Sequence, residues 1–184
     1  MLKKYIFDYA RKCKSHYTDK NGIRHRVYGA KRSKKKVTGI VIHYTSGSKD
    51  TAKNECDYFA TGIDRSASAH IFIDYDGKTG RSVPLSTVAF SVGNPNGCYQ
   101  RGSYHSTLNN SNTVSIELCG IANRLASEKQ ILATEKVVKW IKRQCPNVKH
   151  IVRHYDVVKK ACPLPYVENE KEWRKLKNRL LKQI

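Results

Sequence analysis

Seven histidines and six cysteines supply the metal ligands and nucleophiles open to this 184-residue chain, and their surroundings separate them. His43 lies at the end of an apolar, β-branched run, Val37 to Tyr44 (VTGIVIHY), where a buried strand would hold an imidazole rigidly at the mouth of a cleft. His154 follows a second short run, His150 to Arg153. Cys162 comes eight positions later, across a loop long enough to fold a thiolate back toward an imidazole. Taken alone, His43 reads equally well as a satisfied histidine at the rim of a core. Taken together, two imidazoles and a thiolate form a borderline-to-soft donor set suited to zinc, with the fourth tetrahedral position left for water. No two cysteines are spaced as CxxC, so a zinc finger or ribbon has little support, and most of the cysteines read as buried thiols.

The elements that must carry these residues alternate in type. After the Val37 to Tyr44 strand and a polar loop, a helix is expected over Thr51 to Ala60, stopped near Gly62. Ala69 to Tyr75, the Asp76-Gly77 turn and Arg81 to Pro84 suggest a hairpin. Thr113 to Cys119 reads as another strand. Ser127 and Gln130 suggest a capping box for a helix that Cys145-Pro146 closes. The stretch from Glu168 to Ile184 has the pattern of an amphipathic helix with Trp173, Leu176 and Leu180 on one side. Near the N-terminus, Leu2, Tyr5, Ile6, Tyr9, Cys13 and Tyr17 fall at helical spacing among basic residues. That pattern predicts a basic amphipathic helix over residues 2–17, followed by a loop or linker over 18–36. The expected class is α/β, a central mixed β-sheet flanked by helices, with residues 1–36 as a basic arm or small subdomain and 37–184 as the main domain.

Composition narrows the partners. Thirty-five basic residues face 15 acidic ones, a net charge of +20, which points to a polyanion: nucleic acid, anionic lipid or an anionic cell-wall polymer. Residues 1–36 concentrate 13 Lys and Arg against two Asp. No apolar run approaches the ~18 residues of a membrane span, and no signal-peptide core is apparent, so synthesis in the cytoplasm is expected.

Four blocks, IVIHYTSG (40–47), SAHIFIDYDG (68–77), NTVSIELCG (112–120) and HYDVVKKACPLPY (154–166), occur in an order that resembles the zinc-dependent N-acetylmuramoyl-L-alanine amidases. That family includes phage endolysins and is related to the peptidoglycan recognition proteins. The resemblance implies a zinc ion on His43, His154 and Cys162, with Glu117 and Lys160 as catalytic residues. An amide is a poor electrophile, so its hydrolysis requires a polarised carbonyl, a strong nucleophile at neutral pH and a proton for the departing amine. Zinc serves the first two needs, Glu117 would move the proton, and Lys160 would stabilise the oxyanion. Tyr44, His70, His105 and Asn112 are the candidate substrate contacts, although His70, on an alternating strand, also reads as a positioning or core residue. The resemblance further implies peptidoglycan as substrate and a lytic role at the cell wall after release, with recycling of wall fragments and a delivered toxin as the alternatives. The concentrated positive charge of residues 1–36 points to anionic wall polymers as partners of the basic arm, and a monomer is expected although no residue pattern fixes the oligomeric state.

Two departures stand out. Ala69 occupies the position where some family members carry a tyrosine before the second-block histidine, which excludes a catalytic tyrosine there. Phe90-Ser91-Val92-Gly93 lacks the histidine that many members place after the hairpin. Two other functions stay open on sequence grounds. A non-catalytic peptidoglycan-binding module would commonly lose the thiolate that Cys162 retains. A basic nucleic-acid-binding protein, with Tyr5, Tyr9 and Tyr17 for stacking, would leave the His/His/Cys set without a purpose.

Overall fold

The structure is a computed structural model that describes residues 6–93 and 97–184. Its centre is a six-stranded mixed sheet of β1 (Tyr9–Ala10), β5 (Gly39–Tyr44), β6 (Ile71–Ile73), β7 (Thr79–Arg81), β9 (Thr113–Leu118) and β10 (His150–Arg153). The spatial order is β1-β7-β6-β9-β5-β10, and β6, β9, β5 and β10 run parallel to one another. β7 turns back antiparallel on β6, and β1 runs parallel to β7 at the edge.

Alternation along the strands divides the two faces. Ile40, Ile42, Ile116, Leu118, Ile71 and Ile73 point to one side, where α2 (Glu128–Gln144) and α3 (Glu170–Leu181) cover them with Val137, Val138, Ile141, Trp173, Leu176 and Leu180. The alternate positions, among them Val41, His43, Phe72, Ser115 and Glu117, therefore face the other side. There α1 (Ala52–Asp57) packs through Ala52 and Cys56, and Val152 joins Val41, Leu108 and Val157. Parallel strands buried on both faces explain why these runs are nearly continuous in apolar residues. Cys13, Cys56, Cys119, Cys145 and Cys162 are all buried thiols.

The expected strands and helices from Val37 onward form within a few residues of their sequence bounds. The capping box at Ser127 is half made. The Ser127 hydroxyl accepts from the Gln130 amide, but the Gln130 side chain turns inward and donates to the Ile73 and Cys119 carbonyls, tying α2 to the sheet.

The N-terminal helix is overturned. Over the described part of that stretch the chain forms β1 and then β2 (His16–Thr18), which pairs with β3 (Arg24–Arg26) in a hairpin. β4 (Tyr28–Lys31) then pairs with β8 (Thr87–Ala89). Residues 2–5 of the expected helix lie outside the described residues. The reason is tertiary: β7 offers an open edge, and Asp8 accepts from the Thr79 amide at 2.9 Å to start the pairing. Cys13 and Val27 are buried beside Ile63, Val83 and Ala89, so residues 6–32 pack onto the body of the domain.

Candidate metal centre and cleft

Register brings the chemistry together. On the parallel strands β5 and β9, His43 stands opposite Glu117, and on β10 Arg153 stands opposite Ile42, so His154 emerges next to His43. All three lie at the carboxyl ends of neighbouring parallel strands, the usual position of sites in such sheets. The loop after β10 then folds back. The Tyr155 amide donates to the Cys162 carbonyl at 3.0 Å, the return that places the thiol against the imidazoles. Arg153 braces this turn from the opposite face, with its guanidinium on Asp156, Glu170 and the Tyr166 carbonyl.

The ligand-type atoms of His43, His154 and Cys162 lie within 4.8 Å of one another, and all three residues are buried. The two rings are 4.6 Å apart between centroids, and Cys162 Sγ is 3.8 Å from His43 Nδ1. His43 Nε2 and both nitrogens of His154 are buried without a hydrogen-bond partner. Burial, with His154 and Lys160 nearby, holds His43 well below the usual imidazole range, and burial beside Lys160 lowers His154 to about 3. Both are therefore neutral and have lone pairs to give. Burial, with the Glu117 carboxylate, pushes the Cys162 thiol up to about 12, so its ionisation needs a cation nearby. Orphaned imidazoles beside a thiol that needs a cation fit a bound metal ion.

Glu117 Oε1 is 4.0 Å from His43 Nδ1. Burial and the Glu55 carboxylate raise Glu117 to about 8 against the pull of Lys160, and 16 % of its side chain still faces the opening. Tyr44, Phe90 and Ser91 share the small metal pocket of about 140 Å³ with Glu117 and Lys160. Ser91 and Phe90 thus stand where the expected histidine is missing. A wider cleft of about 470 Å³ adjoins it and shares Tyr44, Glu117 and Lys160. Glu55 and Tyr58, from α1 and the turn after it, and Arg65 line this cleft. Sequence reasoning missed these three; only their position after the His43 strand and a polar loop hinted at them. Ser46, on the cleft wall, has φ 62°, a left-handed conformation braced by the Gly47 amide donating to Asp50.

Three candidate substrate contacts are not brought to the site. His70 is fully buried. Its Nδ1 accepts from the Ser115 amide at 3.1 Å, which leaves Nε2–H to donate to the Thr87 carbonyl at 3.1 Å. With both nitrogens occupied it ties the sheet together and lines neither pocket. Asn112 precedes β9, at the end of the strand opposite Glu117, and its amide donates to the Thr107 carbonyl. His105 is half-buried in the turn beside Tyr104, whose ring packs on His150 at the start of β10, and it lines neither pocket.

Comparison with known proteins gives a consistent answer. Residues 33–165 match the family model described as N-acetylmuramoyl-L-alanine amidase. The chain is 35% identical over 141 residues to the N-acetylmuramoyl-L-alanine amidase CwlL of Bacillus licheniformis, covering 74% of this chain and 38% of that protein. The chain thus spans about two fifths of the length of the curated relatives it matches. Among solved structures, that of PlyL superposes with a TM-score of 0.66 at 19% identity, covering 84% of this chain and 88% of the other. A selenomethionine AmpD derivative also gives 0.66, at 16% identity, over 95% and 96%. At these identities the structural likeness speaks for the fold.

Proposed function

The chain belongs to the N-acetylmuramoyl-L-alanine amidase family, and from that premise we propose that it hydrolyses the amide between the lactyl group of N-acetylmuramic acid and the L-alanine of the peptidoglycan stem, with zinc on His43, His154 and Cys162. The observation that carries this reading is the buried set of two neutral imidazoles and a thiol with Glu117 and Lys160 on the same pocket wall. Two nitrogens and a sulfur suit zinc above harder cations. When bound, zinc supplies Lewis acidity to the scissile carbonyl and lowers the pKa of water.

The protein's own groups do the rest. The Glu117 carboxylate takes a proton from the attacking water and returns it to the departing amine nitrogen, acting as base and then as acid. The Lys160 ammonium faces the negative charge that develops on the carbonyl oxygen. Tyr44 walls the same pocket, where its side chain would orient the substrate.

The retained thiol argues against a purely binding module. The net charge of +20 supports an electrostatic hold on anionic wall polymers and a lytic, endolysin-like role at the cell wall. The N-terminal cations would contribute from a packed surface, since Lys12, Lys14, Arg24 and Arg26 are exposed around the buried Cys13 and Val27.

Digestion of purified peptidoglycan tests the reading. New free L-alanine amines without new reducing ends are expected. New reducing ends alone would mean that a glycosidic bond is cut and would overturn it.

A further inference from the structure

Among the described residues, Glu55 is the one carboxylate lining the wide cleft that the proposed chemistry does not use. It projects from α1, half-buried, and makes no hydrogen bond or ion pair among the described residues. Arg65, a cation on the same cleft, is otherwise engaged: it reaches Tyr58 Oη at 3.3 Å and Asp64 Oδ1 at 3.2 Å. Lys160 shares the cleft, where Glu117 competes for it. Burial and the neighbouring Asp50 raise Glu55 to about 7, against a weaker opposing pull from Arg65. An anionic group kept half out of water and short of a cation gains most from a ligand that brings one.

We propose that Glu55 accepts a primary ammonium group of the substrate, so that the cleft beside the metal centre selects stem peptides whose diamino residue has a free side-chain amine. This rests on the amidase reading above and adds specificity to it. The cleft, at about 470 Å³, has room for a peptide segment running on from the metal pocket, because the two share Tyr44, Glu117 and Lys160. Stems whose side-chain amine has been acylated in a cross-link would be refused, whereas a stem that contributes only its carboxyl to a cross-link keeps a free amine and would still be accepted.

The test compares two soluble muramoyl-tripeptides that differ only in whether the side-chain amine is free or acetylated. Wild-type protein is expected to favour the free amine roughly tenfold in kcat/KM, through KM, as befits one charge-assisted contact. Glu55→Gln keeps the shape and should bring the ratio close to one by raising KM for the free-amine substrate. Glu55→Asp, which retains the charge on a shorter arm, should fall between. Equal wild-type rates on the two substrates, or a preference that survives in Glu55→Gln with zinc content intact, would overturn the assignment while leaving the amidase reading in place. Cleavage of neither substrate by wild-type protein would remove the amidase reading, and this inference with it.

Discussion

Two buried histidine groups lie on the same face of the same sheet and behave in opposite ways. At the carboxyl ends of β5 and β10, His43 and His154 leave three ring nitrogens without partners. Just before β6, His70 has both nitrogens matched, one by the Ser115 amide and the other by the Thr87 carbonyl. Burial lowers the pKa of all three. What separates them is satisfaction: a buried imidazole with full hydrogen bonding holds the scaffold, and one without it awaits a ligand. Beside His70 the Arg32 guanidinium donates to the Leu85 and Asn110 carbonyls, which ties the N-terminal segment to this region of the fold.

Loss of a metal ligand should separate the two histidine groups most. Cys162→Ala removes a ligand from the unsatisfied group, so metal analysis should show zinc lost and amide hydrolysis should fall by roughly 1000-fold or more, about 4 kcal/mol of transition-state stabilisation. Full zinc content in this variant would dissolve the assignment.

His70→Ala should do the reverse. It strands the Ser115 amide and the Thr87 carbonyl and opens a cavity, at about 3 kcal/mol of stability, or roughly 6–12 °C in Tm, with zinc retained. Loss of zinc without loss of stability would show that the two groups are not distinct in the way their hydrogen bonds indicate.

Glu117→Gln sharpens the catalytic side. The variant should keep zinc and fold while turnover drops by about 100-fold, near 2.7 kcal/mol. Near-normal turnover would assign the proton to another group.

The smallest effect is on pH. Burial, with Arg32 beside it, holds His70 at about 3 in the folded protein, against 6.5 for the free side chain. Between those values the unfolded chain binds a proton that the folded protein refuses, so stability falls as pH drops below 6.5. Part of the His70 network's contribution is then already gone at pH 5. The stability difference between wild type and His70→Ala should therefore shrink by about 1–2 kcal/mol from pH 7 to pH 5 in denaturant titrations. A difference that is constant or grows would mean that His70 is charged in the fold.

Much was legible in the chain itself. Strand and helix types from Val37 onward follow from residue periodicity and local caps, which depend on neighbours within a few positions: the β-branched run before His43, the Ser127 cap, the Trp173-Leu176-Leu180 stripe. The donor types at His43, His154 and Cys162 and the carboxylate at Glu117 were likewise readable, because the chemistry of a side chain is a property of the residue. Pairing is not local. The parallel register that sets His43 opposite Glu117, and the separation of His70 from His43 by what each nitrogen meets, arise only when strands distant in sequence are laid side by side. The N-terminal segment makes the same point. Its 3.6-residue spacing suited a helix, yet the open edge of β7 and the pocket around Cys13 and Val27 bound it as strands. Glu55 carries no local mark at all, and only the packing of α1 over the sheet puts its carboxylate in the cleft. Residue types and periods were set by the sequence alone; which groups are left without partners was decided by the tertiary structure, since burial and hydrogen bonding depend on the whole set of neighbours.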